Sequence, residues 1–379
     1  MLRLRRPTTV LLTALLPASL ALAACGSDDS MLEGFDAVSV DGPVGEAPEI
    51  DWKGTLAPGK AQAKVIEEGD GEEIADGDVV RIDYTLANGY TEEVNYSTYA
   101  DPDSKDGKDY NVGTLVKVGA DEEPQSIADL LTKAVRDEIE AGQRIGTRIA
   151  VTVGSDKLLG DFLGNQQVSQ FLVDNNIGNE DGLLFVADLT ALAGPDGTET
   201  AAPSWAPKLV EKDGVPSGFD FTGTPKPSTD LRVATLVKGK GPVVKSGQKI
   251  LASYLGQVPS GKEPFDESYS GGTGLEAVVG GAQASVVEGW SKGLVGLPVG
   301  SRVLLQIPPA LGYGKEAQKD QDGKVTIPAS STLYFVVDIL DVSDVEPAPK
   351  PDPAPAPSDP APESPAGTPS SSPSSTPSE

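Results

Sequence analysis

Residues suited to chemistry concentrate between positions 285 and 314, where a short helix is predicted to run directly into a strand. Ser285 and Glu288 have the spacing of a capping box, in which a hydroxyl and a carboxylate satisfy free N–H groups at a helix start. Trp290 falls on the apolar face of this helix, and Gly289 leaves room beside it for a strand to approach closely. Taken alone, Trp290 is either an ordinary core residue or part of an apolar binding surface.

The composition of the chain excludes several classes of catalysis. The sequence contains no histidine, so a Ser-His-Asp site, a Cys-His site and a His-ligated metal site are all excluded. The 30 basic residues against 57 acidic ones give a net charge of −27, which argues against nucleic acid and against adhesion to anionic lipid through basic patches. We therefore predict no metal, no cofactor and no nucleic-acid partner.

The order of short motifs in and after this helix resembles that of the FKBP-type peptidyl-prolyl cis-trans isomerases. The motifs are Val-Val-x-Gly-Trp ending at Trp290, then Gly-Leu, then Val-Gly, then Ile-Pro-Pro-x-Leu-x-Tyr-Gly starting at Ile307. Rotation of a prolyl amide crosses a barrier of ~18–20 kcal/mol without making or breaking a bond. Such an enzyme needs an apolar aromatic pocket and a few placed dipoles rather than an acid, a base or a metal, so a chain without histidine is compatible with it.

The resemblance implies which residues would form the pocket. Trp290 would be its floor, and Asp266 would be a carboxylate near the twisting carbonyl. Tyr313 and Ile327 would meet ligand carbonyls through a hydroxyl and a backbone N–H. The predicted set is Tyr254, Phe265, Asp266, Val286, Val287, Trp290, Tyr313, Ile327 and Phe335. Leu275, where the family usually has an aromatic residue, and extra charged residues after Tyr313 leave substrate preference and macrolide affinity open.

An internal repeat relates two parts of the chain. Residues 51–55 (Asp-Trp-Lys-Gly-Thr) match residues 220–224 (Asp-Phe-Thr-Gly-Thr), and further matches follow in the same order. We predict a first copy at 48–193 and a second copy at 228–345, joined by a Pro/Gly-rich linker at 194–227. Each copy alternates strands with one short helix. This order predicts an α+β fold, an antiparallel β-sheet wrapped around a short α-helix, and the resemblance implies the same fold.

The first copy departs from the predicted pocket. The alignment of the two copies places Leu131 at the position of Trp290 and places Val94-Asn95 at that of Phe265-Asp266. The aromatic floor and the carboxylate are therefore absent. We predict that this degenerate FKBP-like copy folds like the second but lacks isomerase activity, and that it either holds unfolded clients or acts as a spacer.

The N-terminus has the features of an export signal. Three arginines precede an apolar run at 10–24, which is too short for a membrane span and contains a proline. The run ends in Leu-Ala-Ala-Cys, which resembles a bacterial lipobox, with Cys25 as the lipidated first residue of the mature chain; a plain secretory signal with an incidental cysteine is the alternative. We predict a signal peptide at 1–24, a tether at 25–47 and a disordered Pro/Ser/Ala-rich tail at 346–379.

These features lead to two functional hypotheses from different classes. The first is an isomerase, lipid-anchored on the extracytoplasmic face of the cell membrane, that helps exported proline-containing polypeptides to fold. The resemblance implies macrolide inhibitors as further ligands, with their affinity left open. The second is a non-catalytic chaperone or binding lipoprotein that uses the same fold, since a fold alone does not decide function. The complete pocket of the second copy favours the enzyme.

Overall fold

The computed structural model describes residues 31–345 apart from 101–110, 121–123 and 125. The predicted signal peptide with its Cys25, and the predicted tail, lie outside the described residues. Two large antiparallel sheets and a few short helices make up most of the described chain. None of the helices in this part of the chain is long and apolar enough to cross a membrane.

The first half of the described chain contains eight strands and three α-helices. In chain order they are β1 (Val38–Asp41), β2 (Glu49–Trp52), β3 (Gln62–Glu67), β4 (Val79–Asn88), β5 (Glu93–Ser97), β6 (Thr114–Lys117), α1 (Ile127–Arg136), β7 (Arg148–Gly154), α2 (Ser155–Leu159), α3 (Gln166–Asp174) and β8 (Gly182–Leu192). The sheet order is β3-β7-β8-β4-β5, with β6 also paired to β4. The apolar face of α1 packs on one side of this sheet and the β1–β2 hairpin covers the other, so the central strands β4 and β8 bury most of their residues.

The second half repeats this arrangement with one additional strand at its edge. Its elements are β9 (Gly197–Glu199), β10 (Lys208–Lys212), β11 (Val215–Asp220), β12 (Arg232–Gly239), β13 (Gln248–Gln257), β14 (Asp266–Glu267), β15 (Leu275–Val279), α4 (Glu288–Leu294), β16 (Arg302–Ile307), β17 (Gln318–Lys319), β18 (Val325–Ile327) and β19 (Leu333–Ser343). The order β14-β13-β19-β16-β12-β9, with β15 paired to β13, matches the first sheet strand for strand, β9 being added. Three short 3₁₀ helices, Gly34–Asp36, Gly160–Gly164 and Pro309–Leu311, complete the fold.

Two hairpins involve segments that the sequence predicted as a tether and a linker: β1 lies in the predicted tether 25–47, and both β10 and β11 lie in the predicted linker 194–227. The β1–β2 hairpin buries Val38 and Val40 against the outer face of the first sheet. The β10–β11 hairpin buries Phe219 against Tyr334 on the outer face of the second sheet. Both segments are rich in Gly, Pro and charged residues, but a few alternating apolar residues are enough to cover a sheet face. Each hairpin therefore packs against the sheet of the copy that follows it.

A buried ion pair lies beneath each hairpin. Arg148 on β7 and Asp188 on β8 have fully buried side chains and form two hydrogen bonds of 2.6 and 2.7 Å. The remaining N–H groups of Arg148 donate to backbone carbonyls between β1 and β2, at Asp41, Gly42, Pro43 and Glu46. In the second copy Arg302 forms the same pair with Asp338, at 2.7 and 2.8 Å, and its third contact is the hairpin residue Glu211. The bidentate pairs thus fix the hairpins to their sheets.

The two copies also contact each other. Val112, Leu115, Leu251 and Leu340 form a buried apolar cluster between them. Arg81 of the first copy pairs with Asp341 of the second at 3.1 Å, and the same carboxylate accepts the backbone N–H of Gly113 at 3.2 Å. Apolar burial and a partly buried ion pair therefore hold the β4–β6 region of the first copy against β13 and β19 of the second.

Candidate active site

Helix α4 places Trp290 at the base of the second copy, although the helix starts differently from the prediction. The predicted capping box is wrong, because Ser285 Oγ accepts the N–H of Val278 at 3.0 Å and α4 begins at Glu288 without a side-chain cap. The Ser285 hydroxyl instead accepts a hydrogen bond from the end of β15. The predicted close approach at Gly289 is confirmed, since a Cβ there would lie 2.4 Å from Ile307 on β16. Trp290 is consequently 2% exposed and fixed between helix and sheet.

Four aromatic rings meet above this helix. Phe335 on β19 lies at their centre, with ring centroids 5.3 Å from Trp290 at 87° and 5.6 Å from Phe265 at 89°. Tyr254 on β13 contacts Trp290 at 5.5 Å and 80°. Edge-to-face pairs of this kind are favoured by the quadrupoles of the rings. The rings therefore form a rigid apolar surface without needing a ligand to order it.

Gly256 is a site residue that the sequence reasoning missed. A Cβ at this position of β13 would lie 2.5 Å from the ring of Phe335 and 2.6 Å from that of Phe265. Only a residue without a side chain lets both rings lie against the strand. A glycine inside a strand signals such a close approach and was the available clue.

A polar edge borders the aromatic rings. The hydroxyl of Tyr254 donates to Asp266 Oδ2 at 2.6 Å, and Asp266 itself is exposed. Burial, together with the hydrogen bond to Asp266, raises the pKa of Tyr254; burial and the nearby charge of Asp266 raise the pKa of Tyr313, whose side chain is 40% exposed. Both phenols therefore keep their protons at neutral pH. Because the Tyr254 hydroxyl already donates to Asp266, Tyr313 is the candidate donor to a ligand.

The rest of the predicted set lies around the same rings. Ile327 is 4% exposed at the end of β18, and Val286 and Val287 are partly buried against the cluster that contains Trp290 and Phe335. The structure thus brings the predicted residues to one region, with the apolar members in one cluster and Asp266 and Tyr313 at its edge. The extra charged residues after Tyr313 form β17 and a turn in which Asp320 accepts the N–H of Lys324 at 2.8 Å.

Strand pairing corrects the alignment of the first copy with the second. Asp266 lies opposite Gly256 in the second copy, and Tyr96 lies opposite Leu86, the counterpart of Gly256, in the first. The corrected pairs are Asn95 with Phe265 and Tyr96 with Asp266, in place of the predicted Val94 and Asn95. The sequence alignment missed this because a β-bulge after Leu86 shifts the pairing by one residue. The carboxylate is still absent, and a phenol stands in its place.

The positions in the first copy that correspond to the pocket are filled by its core. Tyr84 and Phe185, the counterparts of Tyr254 and Phe335, are 2% and 0% exposed. Helices α2 and α3, inserted between β7 and β8, add Leu159, Val168 and Leu172 to the same core. Asn95 Nδ2 also donates to the carbonyl of Asn175 at 2.7 Å, which ties β5 to the end of α3. The first copy therefore presents a packed core where the second has a half-open aromatic site.

Comparison with known proteins agrees with the geometry. The family model of the FKBP-type peptidyl-prolyl cis-trans isomerases matches residues 241–340, inside the second copy. An FK506-binding protein of Streptomyces anulatus is 37% identical over 123 residues, which are 32% of this chain and 94% of that protein. The FKBP-type peptidyl-prolyl cis-trans isomerase FkpA of Escherichia coli K12 is 38% identical over 128 residues, 34% of this chain and 42% of that protein, so the chain spans less than half of its length.

Solved structures are similar to about a third of this chain. The crystal structure of FkpA from Escherichia coli shares 34% sequence identity, over 32% of this chain and 52% of that one, with a TM-score of 0.27. The crystal structure of AtFKBP13 shares 33% identity over 29% of this chain and 91% of that one, with a TM-score of 0.26.

Proposed function

The chain belongs to the FKBP-type family of peptidyl-prolyl cis-trans isomerases, and we therefore propose that its second copy isomerises X-Pro peptide bonds outside the cytoplasm. The observation that supports this assignment most directly is the aromatic site around Phe335, bordered by Asp266 and Tyr313. In the first copy the corresponding residues Tyr84, Leu131 and Phe185 are buried, and both the indole and the carboxylate are missing. We propose that the first copy is not catalytic.

The site would favour the twisted amide over the planar one. A planar amide owes its stability to resonance, which separates charge between oxygen and nitrogen and is lost at the twisted geometry. An apolar surface formed by Trp290 and Phe335 would hold the proline ring and exclude water from the amide. The Tyr313 hydroxyl and the backbone N–H of Ile327 would hold the flanking carbonyls in the rotated arrangement. Because the rings are already packed edge to face, little ordering accompanies binding of the substrate.

Asp266 and Tyr313 provide the test of this assignment that least disturbs the fold. Asp266→Asn and Tyr313→Phe keep side-chain volume while removing a charge and a hydroxyl, so we expect each to lower kcat/KM by ~10-fold, which corresponds to about 1.4 kcal/mol of transition-state stabilisation. The measurement is turnover of an X-Pro tetrapeptide by the full-length protein. Tyr96→Phe, at the first-copy position that corresponds to Asp266, is the matched control and should leave kcat/KM unchanged.

Two outcomes of that assay contradict the proposal in different ways. Wild-type turnover in the Asp266→Asn/Tyr313→Phe double variant would show that the site lies elsewhere. Absence of turnover in the wild type itself would support the alternative, a non-catalytic binding protein.

The proposed location and clients rest on the N-terminal sequence, which lies outside the described residues. We infer that Cys25 carries a lipid that holds the protein on the extracytoplasmic face of the cell membrane, since the Leu-Ala-Ala-Cys string follows a short apolar run. Exported proline-containing polypeptides are then the substrates within reach, and macrolide inhibitors would compete for the same site. Cys25→Ala should release the protein from membranes or leave it unprocessed in cell fractionation. A correctly cleaved Cys25→Ala protein that stayed fully membrane-bound would contradict the lipid anchor.

A further inference from the structure

Asp266 lies on a strand that is weakly held by its own copy. Strand β14 has two residues, Asp266 and Glu267, and pairs with β13 at only two positions. So short a pairing gives little stability of its own. The orientation of Asp266 therefore depends on the segments before and after β14. The segment after it, residues 268–274, connects β14 to β15.

Contacts within the second copy hold the two ends of this connection; at its far end, Gly274 lies against Leu251 of β13. Ser268 exchanges two hydrogen bonds with Tyr254, one through its N–H at 2.9 Å and one through its Oγ at 3.0 Å. Tyr269 is partly buried against the cluster that contains Tyr334, and the N–H of Ser270 donates to Glu267 Oε2 at 2.9 Å. These contacts hold residues 268–270.

The first copy contacts the middle of the connection. Lys117 at the end of β6 donates its Nζ to the backbone carbonyl of Ser270 at 2.8 Å. Gly272, with a φ of +67°, lies so close to the first copy that a Cβ there would be 3.0 Å from Lys117 Cβ and 3.0 Å from Val79 Cγ2. At Gly274 a Cβ would lie 3.0 Å from Leu115 of the first copy as well as 2.5 Å from Leu251 of the second. The connection after Asp266 thus lies against β4 and β6 of the first copy.

The face of the first copy that makes these contacts is itself fixed. Arg81, two residues beyond Val79 on β4, pairs with Asp341 at 3.1 Å and donates to the carbonyl of Leu340 at 3.3 Å. Leu115 is buried in the apolar cluster between the copies. Lys117 therefore projects from a surface that is anchored to the second copy by several independent contacts.

We propose that Lys117 is a positioning residue for the second copy: by holding the connection 268–274 in place, the first copy keeps Asp266 in register beside Tyr254. This inference rests on the proposed function of the second copy. Under this proposal the first copy contributes to turnover although it has no substrate pocket. Lys117 and Ser270, which are 153 positions apart in the sequence, then both affect the site around Asp266.

The test compares Lys117→Ala, Lys117→Arg and a control in the full-length protein. Lys117→Ala should lower kcat/KM about threefold, through kcat rather than KM, because a single exposed hydrogen bond orders the segment without touching substrate. Lys117→Arg keeps a donor at this position and should restore most of the loss. Lys64→Ala, on the strand β3 at the opposite edge of the first sheet, is the matched control and should behave as wild type.

A second readout separates positioning from general destabilisation. Amide hydrogen exchange at residues 268–274 should become faster in Lys117→Ala, while the thermal unfolding midpoint stays at the wild-type value. Unchanged kcat/KM and unchanged exchange in Lys117→Ala, in a wild-type background that is active, would overturn this inference and leave the proposed function intact. An inactive wild type would instead overturn the proposed function, whatever the exchange data.

Discussion

Replacing Trp290 by leucine, the residue at the corresponding position of the first copy, should lower kcat/KM for an X-Pro peptide on the order of 100-fold, or about 2.7 kcal/mol. Leucine keeps an apolar floor but removes the rigid plane that contacts Tyr254 at 5.5 Å and Phe335 at 5.3 Å. Both rings would then gain freedom, and the proline ring would lose the flat surface beneath it. Turnover and thermal unfolding should be measured on the same preparation.

Stability must be separated from catalysis in this variant. Trp290 is 2% exposed, and truncation of such a residue to alanine costs ~3–5 kcal/mol, so Trp290→Leu is expected to destabilise the fold by less than that. Trp205→Leu is the matched control, because Trp205 packs beneath the β10–β11 hairpin, on the other side of the sheet from the rings. It should lose stability and keep turnover. A folded Trp290→Leu protein with turnover within threefold of wild type would show that the indole is only a core residue.

Arg148→Met should lower the free energy of unfolding by ~3–5 kcal/mol, since it leaves Asp188 as an uncompensated buried charge. Both side chains are fully buried, and the N–H of Gly45, which donates to Asp188 at 2.7 Å, does not replace the positive charge that Arg148 supplies. The four carbonyls between β1 and β2 would also lose their donor. Urea unfolding followed by far-UV circular dichroism measures the effect.

The double variant Arg148→Met/Asp188→Leu tests whether the unpaired charge of Asp188 causes this loss of stability. Removing both charges of a buried pair is typically much less costly than removing one, so the double variant should recover much of the lost stability. Isomerase turnover of the folded protein should be unchanged in both, because the pair binds the β1–β2 hairpin rather than the connection 268–274. A loss below about 1 kcal/mol in Arg148→Met would contradict the structural role assigned to this ion pair.

The family motifs pointed to the residues that form the aromatic cluster around Phe335, but other features required the fold. Gly289 and Trp290 could be placed from helical periodicity and motif order, because both are determined by neighbours close in sequence. Ser285 was misassigned because its hydroxyl has two acceptable partners, a helix N–H and the N–H of Val278, and only the fold selects between them. The pairing of Tyr96 with Leu86 depends on a bulge that spacing does not reveal.

Contacts between segments that are distant in the sequence could not be predicted from local sequence patterns. Val38 and Phe219 lie in stretches whose composition is typical of loops, and their burial depends on sheet faces formed by other segments. The charge of Arg148 predicts exposure, yet the side chain is buried because Asp188 and the chain between β1 and β2 satisfy its donors. The contact of Lys117 with Ser270 joins the two copies and has no counterpart in either copy's own sequence pattern.

The indole N–H signals of the three tryptophans, Trp52, Trp205 and Trp290, offer the most direct test that isomerisation takes place in the second copy. An X-Pro tetrapeptide titrated into ¹⁵N-labelled protein should shift the Trp290 signal in proportion to its occupancy of the site, while the signals of Trp52 and Trp205 stay in place. A Trp290 signal that did not move at peptide concentrations saturating turnover would contradict the assignment of the active site to this aromatic cluster.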